Sequence, residues 1–403
     1  MMKETEITTS RFMLMSLFIC LVLGIISQVE AFRSTFRPIL YASWMAAIIV
    51  YMIQFRHRIL ISKNARVLVT MTAIIFLWRF ILILFGKGNV LPQVGTMLLI
   101  DLAVFLYGSW LAERKIGGTK LAIILVSYSV VCVIFSIYLF RTYFTTIVDW
   151  ITTTNYQYIS KNSAAQLLAH AVIFLLFLYP VAYRKQTILN QLIRLLMISI
   201  LILVICLLRC RTAILALAID ALYYVLRFKK SRTAYIVIFA IVIMIVLSFP
   251  QIRQFLESAL LLNKYGQDAT LNQFSSGRLE SIDAAIEIWK SHPWIGVGQI
   301  LVDCNPIAIL TDSGILGAIP YFVIWITAVK MNLQRKGSDP FIKATQMLTV
   351  YYCVTSLLEG YPPFGPGVCV APLWLLSGYM ELNYGGGKVN EDISSGNSHY
   401  TNI

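Results

Sequence analysis

Long apolar runs separated by short polar connections make up nearly the whole chain. Runs of about 17–21 residues recur from Phe12 to Tyr384, and a helix of that length crosses a hydrocarbon core of roughly 30 Å. The pattern predicts spans at roughly 12–30, 38–55, 66–85, 94–112, 120–140, 164–182, 190–208, 212–228, 233–249, 314–331, 342–358 and 368–384. The expected fold class is therefore an all-α polytopic membrane protein of about 12 transmembrane helices. Two connections are longer than the rest, Arg141–Asn162 and Gln251–Ser313. The second, about 60 residues, is too long for a structureless linker and is expected to fold over the bundle. Within it Gln251–Asn263 reads as a helix, Gln273–Gly277 as a polar turn and Arg278–Ser291 as a second helix ended near Pro293. The expected organisation is a membrane bundle over 1–249, the large loop over 250–313, three further spans over 314–384 and a disordered polar tail over 385–403.

Composition agrees with the bilayer as solvent. Of 403 residues 58% are apolar and 13% charged, where a soluble domain carries roughly a quarter charged. The first run, Phe12–Ile26, lacks a small-residue cleavage site and is expected to stay as a helix. Seven cysteines (Cys20, Cys132, Cys206, Cys210, Cys304, Cys353, Cys369) are scattered singly, so neither a disulfide framework nor a zinc site is expected. The four histidines (His57, His170, His292, His399) show no metal-ligand spacing either.

The formal charge of +14 resides in short clusters between spans, which fits membrane orientation and not nucleic acid. The clusters are Arg56, Arg58, Lys63 and Arg66; Arg114, Lys115 and Lys120; Arg184 and Lys185; Arg227, Lys229, Lys230 and Arg232; Lys330, Arg335 and Lys336. With twelve spans, all five lie on the side of the termini, which the positive-inside rule makes cytoplasmic. The two longer connections then lie on the extracytoplasmic face.

Charges inside spans need partners, since each costs at least about 2.5–3.5 kcal/mol unpaired. Arg79 and Asp101 lie eleven positions either side of Val90, so a hairpin turning there predicts a buried Arg79–Asp101 ion pair. Arg79 holding a lipid phosphate is the alternative. Asp220, inside the eighth span, has no equal-depth partner on the seventh. At the outer end of the seventh span, Arg209 and Arg211 occupy a tight turn where positive-inside bias disfavours them. A planar guanidinium there suits a phosphate or diphosphate, with headgroup anchoring as the alternative.

These residues carry a resemblance. Leu208-Arg209-Cys210-Arg211-Thr212-Ala213-Ile214-Leu215-Ala216-Leu217 is similar to the S-R-T/G-A-x-x-A-L turn of the O-antigen polymerase/O-antigen ligase family, with Cys210 where serine is common. Ser276-Gly277-Arg278-Leu279 and Ile288-Trp289-Lys290-Ser291-His292-Pro293-Trp294-Ile295-Gly296-Val297-Gly298 resemble the family's G-R-x-x-x-W and hP-x-x-G-x-G stretch. Leu310-Thr311-Asp312-Ser313-Gly314-Ile315-Leu316-Gly317 resembles the L-A-E-x-G-x-x-G lead into the next helix. The likeness covers roughly Gln191–Tyr321; the other spans agree in number and hydropathy. One departure matters. Family ligases carry a histidine eleven residues before the glycine corresponding to Gly314, and here that position is Asp303. The polymerase is therefore favoured over the ligase, and a lipid-linked oligosaccharide flippase is the rival of another class. No internal repeat is visible, which counts against the flippase.

The resemblance implies a GT-C-like bundle in the bacterial cytoplasmic membrane, acting on undecaprenyl-diphosphate-linked oligosaccharides among membrane lipids. A chain-length regulator and a flippase are the implied protein partners; the product could be O-antigen, capsule or exopolysaccharide. A sugar hydroxyl attacks an anomeric carbon and the lipid diphosphate leaves. Arginines that bind it stabilise its developing charge. Arg211 and Arg278 are the first candidates, with Arg209, Arg253 and Lys264 as further substrate-binding residues. A general base must reach the attacking hydroxyl: Asp303 by position, then Asp312 and Glu359. A helix cap is the stronger reading of Asp312. Arg278 opens a helix, where the dipole disfavours it, so a phosphate or an ion pair with Glu280 or Asp283 must offset it. No D-x-D motif is present, so the expected chemistry is metal-independent and inverting, without a cofactor.

Overall fold

The computed structural model describes residues 2–55, 62–87, 91–143, 161–183, 185–229, 248–260, 262, 270–275, 277–298, 302–359 and 367–384. Among them the chain is helical, with no strand. The long helices are α1 (Met2–Ile26), α2 (Glu30–Phe55), α3 (Lys63–Leu84), α4 (Leu91–Glu113), α5 (Gly118–Tyr143), α6 (Lys161–Phe177), α7 (Ile188–Leu207) and α8 (Arg211–Phe228). After them come α9 (Pro250–Ala259), α10 (Arg278–Ser291), α11 (Asn305–Leu333), α12 (Pro340–Leu358) and α13 (Ala371–Tyr384), the last preceded by a 3-10 turn over Gly367–Val370. Helices thus occupy eleven of the twelve expected ranges; most of 233–249 lies outside the described residues. Among the described residues four helices (Lys63–Leu84, Gly118–Thr142, Ile188–Leu207 and Asn305–Leu333) are long and apolar enough to cross a membrane by length and composition. The protein is an integral membrane protein.

Apolar residues cover both the inside and the outside of the bundle, as a lipid solvent allows. α7 shows this: Ile188, Leu189, Leu192, Leu195 and Leu196 are exposed while Leu201, Val204 and Leu207 are buried. Association must then come from close packing. α4 and α13 pack at such short range that a Cβ on Gly108 would fall 2.1 Å from the Leu375 carbonyl oxygen, and one on Gly378 1.9 Å from that of Phe105.

Residues of four of the five basic clusters meet at one end of the bundle. Ser62 and Asn64, leading into α3, hydrogen-bond to Glu381 near the end of α13. Arg335, just past α11, pairs with the same carboxylate at 2.9 Å. The Tyr379 hydroxyl reaches the Ile116 carbonyl between α4 and α5 at 2.8 Å. The Lys343 ammonium lies 5.6 Å from the centroid of the Phe228 ring at the end of α8. Lys63 and Arg66, Arg114 to Lys120, Arg227 and Lys229, and Lys330 to Lys336 therefore share this end. Arg56, Arg58, Arg184, Lys230 and Arg232 fall outside the described residues, as does the tail from 385.

The predicted Arg79–Asp101 pair is not formed. Arg79 instead grips Asp312 of α11 with both terminal nitrogens, Nη1 to Oδ1 at 2.6 Å. Asp101, 2% exposed, lines a cavity with Leu68, Thr72, Leu98, Leu102, Phe105, Ile324 and Trp374. Thr72 precedes Arg79 by seven residues, about 10 Å along a helix, so the two charges lie at different depths. Counting from the turn fails because α3 packs chiefly along α11.

Candidate active site

The turn between α7 and α8 leaves only three residues between the helices. α7 is closed by the Leu208 amide on the Val204 carbonyl at 2.9 Å. The chain reverses through Arg209 at φ 52°, a left-handed conformation that costs a residue with a Cβ about 1–2 kcal/mol. Cys210 then caps α8 without a side-chain hydrogen bond. The Arg209 side chain is buried, Arg211 is half-buried and Thr212 is buried. Two arginines are thus held at the start of a helix, where the dipole disfavours a cation.

Across from this turn stands Glu359, the residue that ends α12, 5% exposed. Its Oε1 accepts from Asn162 Nδ2, at the start of α6, at 3.2 Å and lies 3.8 Å from Arg278 Nη2, at the start of α10. The Thr212 hydroxyl also hydrogen-bonds to it, and the charge of Asp303 reaches it. Lys161 and Arg278 lie close enough to act electrostatically on Cys210, as does Glu359. Burial pushes the Glu359 carboxyl from 4.5 up to about 7; Arg278 opposes the shift, Asp303 adds to it, and the bonds from Asn162 and Thr212 pull it back. A carboxyl poised near neutrality beside a guanidinium is suited to taking up a proton.

Arg278 therefore pairs with Glu359 rather than with Glu280, which bonds to Asn272. α10 follows Gly277 at φ 80° and is held against the chain by Ala285 packing on Val302 and Ala308.

A second device fixes the loop to the bundle. α11 is two helices joined across Gly314, whose φ of 64° and ψ of −177° break the ladder. The helix thus begins nine residues before the span expected at 314. At the break the carbonyls of Thr311 and Asp312 and the amides of Ile315 and Leu316 lose each other as partners. The segment Pro293–Gly298 supplies replacements: Val297 N to Thr311 O at 2.8 Å, Gly298 N to Asp312 O at 2.8 Å, Ile315 N to Pro293 O at 2.8 Å and Leu316 N to Trp294 O at 3.3 Å. Every released group is satisfied, as an apolar surrounding requires. Only glycines fit: a Cβ on Gly314 would lie 2.3 Å from the Trp294 carbonyl, and one on Gly296 2.5 Å from the Gly314 nitrogen. α3 and the turn that follows it clamp the joint. Trp78 Nε1 donates to the Ser313 carbonyl at 3.1 Å, Lys87 Nζ to that of Gly296 at 3.2 Å, and Arg79 holds Asp312 while reaching the Tyr321 hydroxyl at 3.2 Å.

Of the candidates read from sequence, Arg278, Asp303 and Glu359 come together beside the Arg209–Thr212 turn. Asp312 does not; it belongs to the α3 clamp. Arg253 is exposed on α9 and paired with Glu257 at 2.9 Å. Lys264 lies outside the described residues. Asn162 and Lys161 were missed, since single polar residues at a helix start carry no motif, while Thr212 stood within the Arg211-Thr212-Ala213 motif but was given no role. Among the described residues no three His, Cys, Asp or Glu side chains group as metal ligands.

Residues 195–322, about a third of the chain, match the family model described as O-antigen ligase. The match supports the O-antigen polymerase/ligase family for this chain. It takes in the Arg209–Thr212 turn, Arg278 and both halves of the Gly296–Gly314 joint, while Asn162 and Glu359 lie beyond it. Family members are glycosyltransferase-like enzymes, polymerases or ligases. No curated protein matches the chain.

Proposed function

We propose that this protein is a polymerase that joins undecaprenyl-diphosphate-linked oligosaccharide repeat units at the outer face of the bacterial cytoplasmic membrane. One observation carries the reading: a buried carboxyl with its pKa near 7 faces a guanidinium at 3.8 Å, beside the Arg209–Thr212 turn. The basic clusters gather at a different end of the bundle, which the positive-inside rule assigns to the cytoplasm. Asp303 in place of the ligase histidine favours the polymerase, whose acceptor is another repeat unit rather than a lipid A core.

In this reading Glu359 is the general base, displacing Asp303 from that role. The attacking hydroxyl passes its proton to Glu359 as its oxygen bonds to the anomeric carbon of the donor sugar. The bond from that carbon to the diphosphate oxygen breaks on the opposite side, so configuration inverts. The electron pair stays with the leaving diphosphate, whose growing charge Arg278 and Arg211 offset. Asp303 keeps the Glu359 proton affinity high. No metal enters these steps.

Glu359→Gln and Arg278→Lys, introduced separately into a strain lacking the protein, test this. Loss of long chains with one repeat unit still attached to its acceptor supports the polymerase. Loss of every attached unit points to the ligase, and unchanged polymer overturns the assignment.

A further inference from the structure

The reaction proposed above joins two molecules that each carry a lipid diphosphate. One diphosphate leaves; the other, on the acceptor, stays and must be held while its sugar reaches Glu359. Arg278 and the Arg209–Arg211 turn serve the first. A second anion site at the same end of the bundle is therefore a geometric requirement of that reading, on which this inference rests.

α2 offers one. Arg37 is half-buried, its Nε is enclosed by protein with no hydrogen-bond partner, and among the described residues no carboxylate forms an ion pair with it. In this it differs from Arg79, Arg278 and Arg335, each of which faces an Asp or Glu. Arg33, also half-buried, lies four residues earlier, on the same helix face. The position belongs to the Glu359 end: the charges of Arg37 and Glu359 both reach the thiol of Cys369 in the turn before α13. A partly desolvated guanidinium without a counter-charge is unfavourable, and at the end away from the basic clusters orientation gives no reason for it. A phosphate supplied from outside the chain removes the penalty, since its oxygens accept from two guanidinium nitrogens at once.

We infer that Arg37, with Arg33 one turn before it, binds the diphosphate headgroup of the acceptor lipid, as a site separate from the one where Arg278 meets the leaving diphosphate.

Farnesyl diphosphate is a usable probe, with the full chain reconstituted in phosphatidylcholine nanodiscs and bound ligand counted at saturation. Wild type is expected to bind two molecules, Arg37→Gln one, Arg278→Gln one and the double variant none. Arg37→Lys keeps the charge but loses the fork, so it retains the second molecule with affinity lowered about tenfold. Two molecules on Arg37→Gln, with the Arg278→Gln loss intact, overturn the acceptor site and leave the proposed activity standing. If Arg278→Gln keeps two while Arg37→Gln loses one, the acceptor site stands and the donor assignment falls. Displacement of the Arg37-dependent molecule by phosphatidylglycerol, at levels that leave the Arg278-dependent one bound, would identify an ordinary headgroup site and overturn the inference. Should Arg37→Gln unfold, judged by its melting temperature, Arg33→Gln carries the same expectation of one lost or weakened molecule.

Discussion

The two ends of the bundle treat their charges differently. At the basic end Arg335 and Glu381 meet at 2.9 Å, and Ser62 and Asn64 close on the same carboxylate. Asn332 Nδ2 donates to Thr349 and Ser377, and Gln346 to the carbonyls of Asn332, Leu333 and Arg335. At the other end Arg278 stands 3.8 Å from a carboxyl whose pKa has risen to about 7. The first arrangement spends its charges on holding helices together. In the second the cation stays available and the carboxyl is left close to its proton, an arrangement that is poor for stability and good for chemistry.

The comparison can be broken by substitution, most severely at the Glu359 end. Arg278→Ala should lower turnover by about 10²–10³-fold, the usual effect of deleting one stabiliser of developing negative charge, with the melting temperature in detergent nearly unchanged. Glu359→Gln should cost about 10²–10⁴-fold in turnover. In wild type kcat/KM should rise with pH and level off above about 7, the carboxylate being the active form. Stability moves the other way. The folded pKa of about 7 lies above the ordinary 4.5, so the stabilisation from the neutral carboxyl is complete below pH 4.5 and is lost by pH 7. Glu359→Gln, always neutral, should therefore exceed wild type at pH 8 by on the order of 3 kcal/mol and match it at pH 4. A variant that lost activity and stability together at pH 8 would remove the distinction between the ends.

Substitutions elsewhere should act on stability alone. Asp312→Asn or Arg79→Ala breaks a buried pair and should lower stability by about 3–5 kcal/mol, and the exchange Arg79→Asp with Asp312→Arg should recover part of it in a thermal melt. Smallest of all, Arg253→Ala removes an exposed pair with Glu257 and should change stability by less than about 1 kcal/mol and turnover by less than twofold.

Helix ranges were legible because the apolar runs match the thickness of a bilayer; Arg278 was legible from its family motif, Asp303 from its distance before Gly314, and Glu359 as a carboxylate next to the end of an expected span. What joins them was not. Asn162 and Thr212 matter only because α6 and α8 start beside the end of α12, a juxtaposition set by helix packing far along the chain. The partner of Arg79 was misread for a related reason: sequence counts positions from a turn, while the partner depends on which helix α3 lies against. The glycines of the Trp294–Gly298 and Asp312–Gly317 stretches were visible as a pattern, but their reason, two backbones sharing four hydrogen bonds, required the fold.

The broken helix also constrains how the protein is made. Ile315 and Leu316 cannot satisfy their amides within α11; the partners come from residues 293 and 294, synthesised about twenty residues earlier. At roughly 5–20 residues per second that gap is a few seconds, during which Pro293–Gly298 must be retained near the nascent bundle. α3 and the turn after it, made long before, offer the holding surface through Trp78, Arg79 and Lys87. The order of synthesis thus runs scaffold, splint, then the helix that needs both.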